Sequence, residues 1–283
     1  MFGLNVDPSI GDPAARAIRA EDLGFDFVSV NDHLHGDWAR YETWTMLAWM
    51  AANTSRIRVA SRVLAVPYRH PAVVAKMAET LDRLSGGRLI LGLGGGYSDE
   101  EFAAFGLGTH SPRDKIDGLE EAIHIARGLW SERDFTFQGR LYRTERARLE
   151  PKPDREIPIW VGTYGNRALA LTGRLADGWI PTYELAPPER IPEMRERILT
   201  AAEGADRDPS DITAVYNLDV RVDGGSDAPD WVVAGSPEAI TERLLGFMKL
   251  GFSAFNLAPH GPGVEEQANR LAKEVLPAVR SAV

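Results

Sequence analysis

Short apolar runs alternate with helix-like segments eight times along the chain, and no other feature of the sequence constrains its fold more. The runs fall at 3–6, 25–30, 57–66, 88–93, 159–162, 178–181, 212–222 and 252–257. Between and after them lie helical segments at 14–23, 43–52, 71–84, 113–130, 166–176, 188–202, 236–250 and 264–279. Helix starts are signalled by Asp12-Pro13 and Ser236-Pro237-Glu238, where a capping side chain precedes a proline at the first helical position. Gly24 and Gly86-Gly87 are the matching stops. Along 113–130, Ile116, Leu119, Ile123, Ala126 and Trp130 share one face, as a helix packed on a sheet requires. Strand–helix–strand order implies a parallel sheet with helical crossovers. Eight repeats in 283 residues then imply an α/β fold of the closed (β/α)8 TIM barrel type, which commonly takes about 250 residues as one domain. We therefore expect one domain over residues 1–283, with insertions at the C-terminal rim after strands three, four and seven. Residues Phe135 to Tyr142 break the pattern and read as a small hairpin around Gln138-Gly139.

Composition narrows the function. A net charge of −9 argues against binding a phosphate backbone, which needs clustered basic residues. The chain has no cysteine, which removes disulfides, thiol nucleophiles and cysteine-based metal sites. The first residues lack a basic stretch followed by a long apolar core, and no apolar run approaches the ~20 residues a membrane helix needs. A cytoplasmic protein with a small-molecule substrate, and with neither a nucleic-acid nor a membrane partner, is the expectation.

In such a barrel the chemistry sits at the C-terminal ends of the strands. That rule selects Asn5 and Asp7; Asn31, Asp32 and His33; Ser61, Arg62 and Val63; Gly94, Gly95, Gly96 and Tyr97; Thr163 to Arg167; Thr182 and Tyr183; and His260. The fourth run, Arg88 to Leu93, is nearly all apolar, as suits a strand buried on both faces. It breaks into Gly94-Gly95-Gly96, which lets another surface approach the backbone and could floor a flat ring. The same glycines also suit a tight strand-to-helix turn, and they lack both the Gly-x-Gly-x-x-Gly and the P-loop spacing. Asp32-His33 is the best pair for proton chemistry, because an imidazole donates or accepts near neutral pH. A His bonded to a loop carbonyl is the reading that the dipeptide alone favours. His33-Leu34-His35 makes a poor metal site, since a catalytic zinc needs about three converging ligands and only the distant His260 is left to help; no metal is expected. Thr163-Tyr164-Gly165-Asn166-Arg167 marks a strand turning into a helix. Its free amides and Arg167 suit an anion, and an Asn-capped helix with a solvent-facing Arg fits as well. Trp38, Trp44 and Trp49 lie at helical spacing and read mainly as core. Tyr68, Arg69 and His70 precede the helix-starting Pro71 and read as structural.

With these residues in view, the chain resembles the luciferase-like monooxygenase superfamily of flavin-type barrels, and within it the branch using the deazaflavin coenzyme F420. The matching segments are Ala20 to Leu34, Val63 to Lys76, Leu81 to Gly106, Ile157 to Pro181 and Val233 to Leu257. The resemblance implies Asp32 and His33 at the deazaflavin ring, with His33 as proton donor or acceptor. It implies a non-proline cis peptide supporting that ring, aligned with Arg62–Val63 in the segment Ser61, Arg62, Val63, although the family commonly has a small residue in place of Arg62. It puts Gly94, Gly95, Gly96 and Tyr97 at the ring's floor, and Tyr164, Gly165, Asn166 and Arg167 at the coenzyme's phosphate, with Thr163 beside them. A sugar-phosphate dehydrogenase of the superfamily carries a catalytic carboxylate where this chain has Tyr97, which argues against that substrate. The expected activity is hydride transfer between F420 and a small organic molecule. The alternatives are an FMN-dependent monooxygenase on the same barrel and a non-catalytic flavin-binding relative. Family members dimerise, so a homodimer is implied.

Overall fold

The computed structural model describes residues 1–9, 11–37, 40–223 and 228–282. Among them lie twelve strands: β1 (Phe2–Asn5), β2 (Phe27–Val30), β3 (Arg58–Ser61), β4 (Leu64–Ala65), β5 (Leu89–Gly94), β6 (Phe135–Gln138), β7 (Arg143–Ala147), β8 (Ile159–Val161), β9 (Gly178–Trp179), β10 (Thr213–Val222), β11 (Val232–Gly235) and β12 (Ala254–Pro259). The helices are α1 (Pro13–Asp22), α2 (Thr43–Asn53), α3 (Pro71–Leu84), α4 (Asp99–Ala104), α5 (Pro112–Ser131), α6 (Asn166–Leu175), α7 (Ile191–Glu203), α8 (Pro237–Lys249), α9 (Val264–Arg270) and α10 (Leu276–Ser281). Parallel pairing runs β1–β2–β3–β5–β8–β9–β10–β12 and returns to β1, closing an eight-stranded barrel. The (β/α)8 architecture expected from the alternation is the one observed. β6 and β7 form a separate antiparallel hairpin, as expected, but its turn takes residues 139–142 and its second strand, Arg143–Ala147, lies beyond the expected span.

Local signals explain the sharp boundaries. His70 accepts the Ala72 amide at 3.2 Å and Pro71 opens α3, so this helix spans the residues the sequence indicates. Ser111 and Asp114 form a reciprocal capping box on α5. The Arg62–Val63 peptide is cis, as the resemblance implies. Three features differ from expectation. Strand three is not continuous: β3 ends at Ser61, and pairing resumes beyond the cis bond, where Leu64 meets Leu93. β11, which the sequence reading left unassigned, adds to β10 alongside Asp219 to Val222. The last helix is interrupted by a π turn over Leu271–Val275.

Two apolar cores result. The larger lies between the strands and the helical ring. The smaller fills the barrel with Phe27, Ala60, Ile90, Trp160, Ile180, Val215 and Ala254. Phe27 and Trp160 meet edge to face at 5.5 Å. A Cβ at Gly178 would lie 2.3 Å from the Trp160 ring, so the indole needs that glycine beside it. The barrel also buries a polar chain: Ser29 Oγ donates to Asn256 Oδ1 (2.8 Å), Asn256 Nδ2 to Asn217 Oδ1 (2.9 Å), and Asn217 Nδ2 to the Ile180 carbonyl (3.1 Å). Polar side chains are kept inside a barrel only when bonded to one another, and Asn217 reaches the cavity that opens at the C-terminal rim.

Candidate active site

That cavity encloses about 690 Å³. Its wall brings together Asp32 and His33 after β2, Arg62 and Val63 at the cis peptide, Gly94 to Tyr97 after β5, and Tyr164 after β8. Segments as far apart as Asn31 and Asn217 thus share one space. The remaining candidates lie around it. Ser61 is fully buried, donating to the Gly92 carbonyl (2.9 Å) and accepting the Gly92 amide (2.8 Å), so it ties β3 to β5 beneath the wall. Thr163 is buried and bonded to Thr172 Oγ1 at 2.7 Å. Gly165, Asn166 and Arg167 are exposed just beyond Tyr164.

His33 is held by a carboxylate. Its Nδ1 lies 2.7 Å from Glu101 Oε1, while Glu101 Oε2 accepts the Leu34 amide (3.1 Å) and the Tyr68 hydroxyl (2.5 Å). Burial alone would raise the Glu101 pKa, but bonds from Tyr68, His33 and Leu34 outweigh it and hold the carboxyl below its ordinary value. Burial, then the bond to Glu101, pushes the Tyr68 phenol up, so it stays a donor. A carboxylate accepts only, so the proton sits on Nδ1 and Nε2 is the nitrogen left for chemistry.

Asp32 is bound quite differently. Its side chain is fully buried and paired with Arg69 through Nη1–Oδ2 (2.8 Å) and Nη2–Oδ1 (3.0 Å), and Oδ2 also accepts the Ala65 amide (3.0 Å). Arg69 bonds Glu42 as well, the residue that caps α2. With both oxygens engaged, Asp32 braces the wall and has no oxygen left over for proton transfer.

The glycine turn is shaped first by the protein. A Cβ at Gly94 would lie 2.7 Å from Val63 Cγ2, and one at Gly96, whose φ is +91°, would lie 2.3 Å from the Phe102 ring. Only glycine lets the cis segment and α4 pack this closely, and the bare backbone left over faces the cavity. α6 is capped by the backbone of Gly165 with no side-chain bond, so an Asn166 cap is ruled out. A Cβ on Gly165 would meet nothing within 4 Å, and the first amides of the helix stand open. Arg167 is ion-paired with Asp117, with Glu120 at 3.9 Å. Asn31 Oδ1 is buried at the cavity wall and, among the described residues, has no hydrogen-bond partner.

The family model described as luciferase-like monooxygenase matches residues 4–229. The chain belongs to that family. Among its curated relatives, an F420-dependent glucose-6-phosphate dehydrogenase of Intrasporangium calvum is 31% identical, with 93% of each chain covered. Among solved structures, an F420-dependent secondary alcohol dehydrogenase in complex with an F420–acetone adduct shares the fold with a TM-score of 0.90 at 23% identity, covering 99% of both chains. The oxygenating constituent of 3,6-diketocamphane monooxygenase from Pseudomonas putida, in complex with FMN, matches with a TM-score of 0.80 at 18% identity over 98% of both.

Sequence reasoning missed Glu101, Tyr68 and Arg69 as parts of this luciferase-like site. Glu101 falls in the first turn of α4, where a carboxylate ordinarily reads as a helix-start charge. Tyr68 and Arg69 precede a helix-starting proline and read as structural. Their only sequence signal is proximity to the rim end of the third strand. Trp38, and Gly224 to Asp227 of the insertion after strand seven, lie outside the described residues. Trp44 packs against the core, whereas Trp49 is exposed.

Proposed function

We propose that this protein is an F420-dependent oxidoreductase that transfers a hydride between the deazaflavin and a small organic substrate in the cavity, with His33 exchanging the accompanying proton. The observation that carries the reading is the carboxylate-fixed His33 facing the same cavity as the Val63 and Gly94–Gly96 wall, beside an uncapped helix start. The residues present fit a planar heterocycle with an anionic tail. Among the described residues, Asn31 Oδ1 has no donor, and a ring N–H would supply one. The open amides of α6, at the positive end of its dipole, suit a phosphate, with Arg167 adding charge once it shares or leaves Asp117. The coenzyme, when bound, would supply two-electron hydride chemistry without activating oxygen. The chain's own part is to support the ring on Val63 and the glycine turn, to hold His33 in one tautomer, and to keep Asp32 and Arg69 as a rigid neutral pair.

The substrate differs from that of the curated relatives in this reading. Tyr97, 82% exposed, stands where a sugar-phosphate dehydrogenase would need a carboxylate. Glu101 cannot take its place while it serves His33, Leu34 and Tyr68. A small alcohol, ketone or acid fits the proposal better than glucose 6-phosphate.

The second reading, an FMN-dependent monooxygenase, is favoured by the FMN-bound structure of the same fold and by the helix start that would take either phosphate. Titration of the purified protein with both coenzymes separates the two. Binding of F420 with hydride exchange, and little affinity for FMN, is the expected result; tight FMN binding without F420 binding would sink the proposal. Coenzyme binding with no turnover across a screen of alcohols, ketones and acids would favour a non-catalytic relative.

A further inference from the structure

Arg62 is a cavity-lining cation. Its Nε donates to Asn5 Oδ1 at 3.2 Å, and among the described residues its two Nη groups have neither a hydrogen-bond acceptor nor a carboxylate at ion-pair distance. Of the other ionised groups of this wall, Asp32 is committed to Arg69 and Glu101 to His33 and Tyr68, while Glu184 and Arg190 are exposed, Arg190 donating to the Leu185 carbonyl at 3.0 Å. Arg62 is also posted firmly. Its anchor Asn5 lies 3.5 Å from Ser29 Oγ, which belongs to the buried Ser29–Asn256–Asn217 chain across the barrel. Burial pushes the guanidinium below its ordinary value, and the field of Asp219 offsets this only in part. With coenzyme and substrate filling the cavity, the guanidinium would be left with neither solvent nor partner, which is unfavourable for a buried cation. A guanidinium with both Nη groups unpaired is matched best by a planar or tetrahedral oxyanion gripped by two N–H donors.

We propose that the substrate carries an oxyanion, a carboxylate or a phosphate, received by the Nη fork of Arg62. This rests on the reading of the cavity as the seat of hydride transfer, and it assigns to the Arg62 side chain a specificity role distinct from the backbone support its peptide would give the ring. The identity of residue 62 then separates this chain from relatives with a small residue there.

The test is calorimetric titration of the F420-loaded protein with acetate, inorganic phosphate and acetamide, the neutral isostere of acetate. At least one anion should bind ~10-fold or more tightly than acetamide, because only an anion satisfies the fork. Preference for acetate alone names a carboxylate substrate, and preference for phosphate alone a phosphorylated one. Arg62→Met should abolish the preference and Arg62→Lys should retain part of it. Equal binding of all three ligands, binding of neither anion, or a preference that survives Arg62→Met overturns the inference. So does a loss of F420 affinity in Arg62→Met as large as the loss of anion affinity, since the side chain would then serve the coenzyme. Should Arg62→Met fail to fold by circular dichroism, Arg62→Lys decides: an undiminished preference overturns the inference and a reduced one upholds it. If wild-type protein does not bind F420 at all, the hydride-transfer reading fails separately. The same titration of coenzyme-free protein then decides Arg62 on its own, by whether anion preference depends on that residue.

Discussion

The two sides of the cavity are built on opposite principles. On the β2–β5 side, His33, Glu101, Tyr68, Asp32 and Arg69 are interlocked by short bonds and largely shielded from solvent. On the β8 side, Gly165, Asn166 and Arg167 are exposed, the helix start is open, and Arg167 meets only the carboxylates of α5. A proton-transferring group has to be held in place, whereas a site for a ligand's charged tail has to be reachable and exchangeable. The difference teaches that substitutions on the first side should act on turnover or folding, and those on the second on coenzyme affinity.

The strongest break in that contrast comes from His33→Ala. Turnover should fall ~10²- to 10⁴-fold, as expected for loss of a positioned acid–base group, with a nearly unchanged thermal midpoint; intact turnover in a steady-state assay would clear His33 of any proton role. Arg69→Met tests the same side through stability. It leaves the fully buried Asp32 carboxylate without its partner, so denaturant unfolding should show a loss of about 3 kcal/mol. A loss below about 1 kcal/mol would mean that Asp32 is compensated some other way.

Glu101→Gln should lower turnover ~10- to 100-fold, the range seen when the partner orienting a functional His is removed, and should alter the pH profile; an unchanged profile would separate Glu101 from the chemistry. Glu101 also fixes a sign for pH. Its folded pKa lies below the ordinary 4.5, so its contribution to stability is complete above that value and is lost as pH falls through the folded one. Acid unfolding of the Glu101→Gln protein should accordingly depend less on pH below 4.5.

The smallest effect is expected on the open side. Arg167→Ala should weaken coenzyme binding severalfold and flatten its salt dependence, with folding little changed, because the side chain is half exposed. Equal affinity for both proteins at low salt would remove Arg167 from the phosphate site and leave the α6 amides alone in that role.

Much of this was legible in the chain. The alternation fixed the barrel, Pro71 and Gly86-Gly87 bounded α3, and the Gly165 turn marked a helix start, because caps, prolines and periodicity act within a few residues. What could not be read depends on contacts between distant residues. Glu101 and His33 are 68 positions apart, and Arg69 and Asp32 are 37 apart. Nothing local distinguishes Glu101, which bonds three groups, from Glu100 beside it. β11 escaped notice for the same reason: Val232 to Gly235 becomes a strand only because the upper half of β10 has an unpaired edge.

The sequence by itself determined that strands and helices alternate, where most of them begin and end, and which segments reach the rim, since these follow from short-range sterics and hydrophobic period. Only the tertiary structure decided which side chains are spent on one another. Asp32 is spent on Arg69, Ser61 on Gly92 and Glu101 on His33, while among the described residues the two Arg62 Nη groups meet no acceptor. A charge becomes available or committed through distance and desolvation, and both are set by the closed barrel.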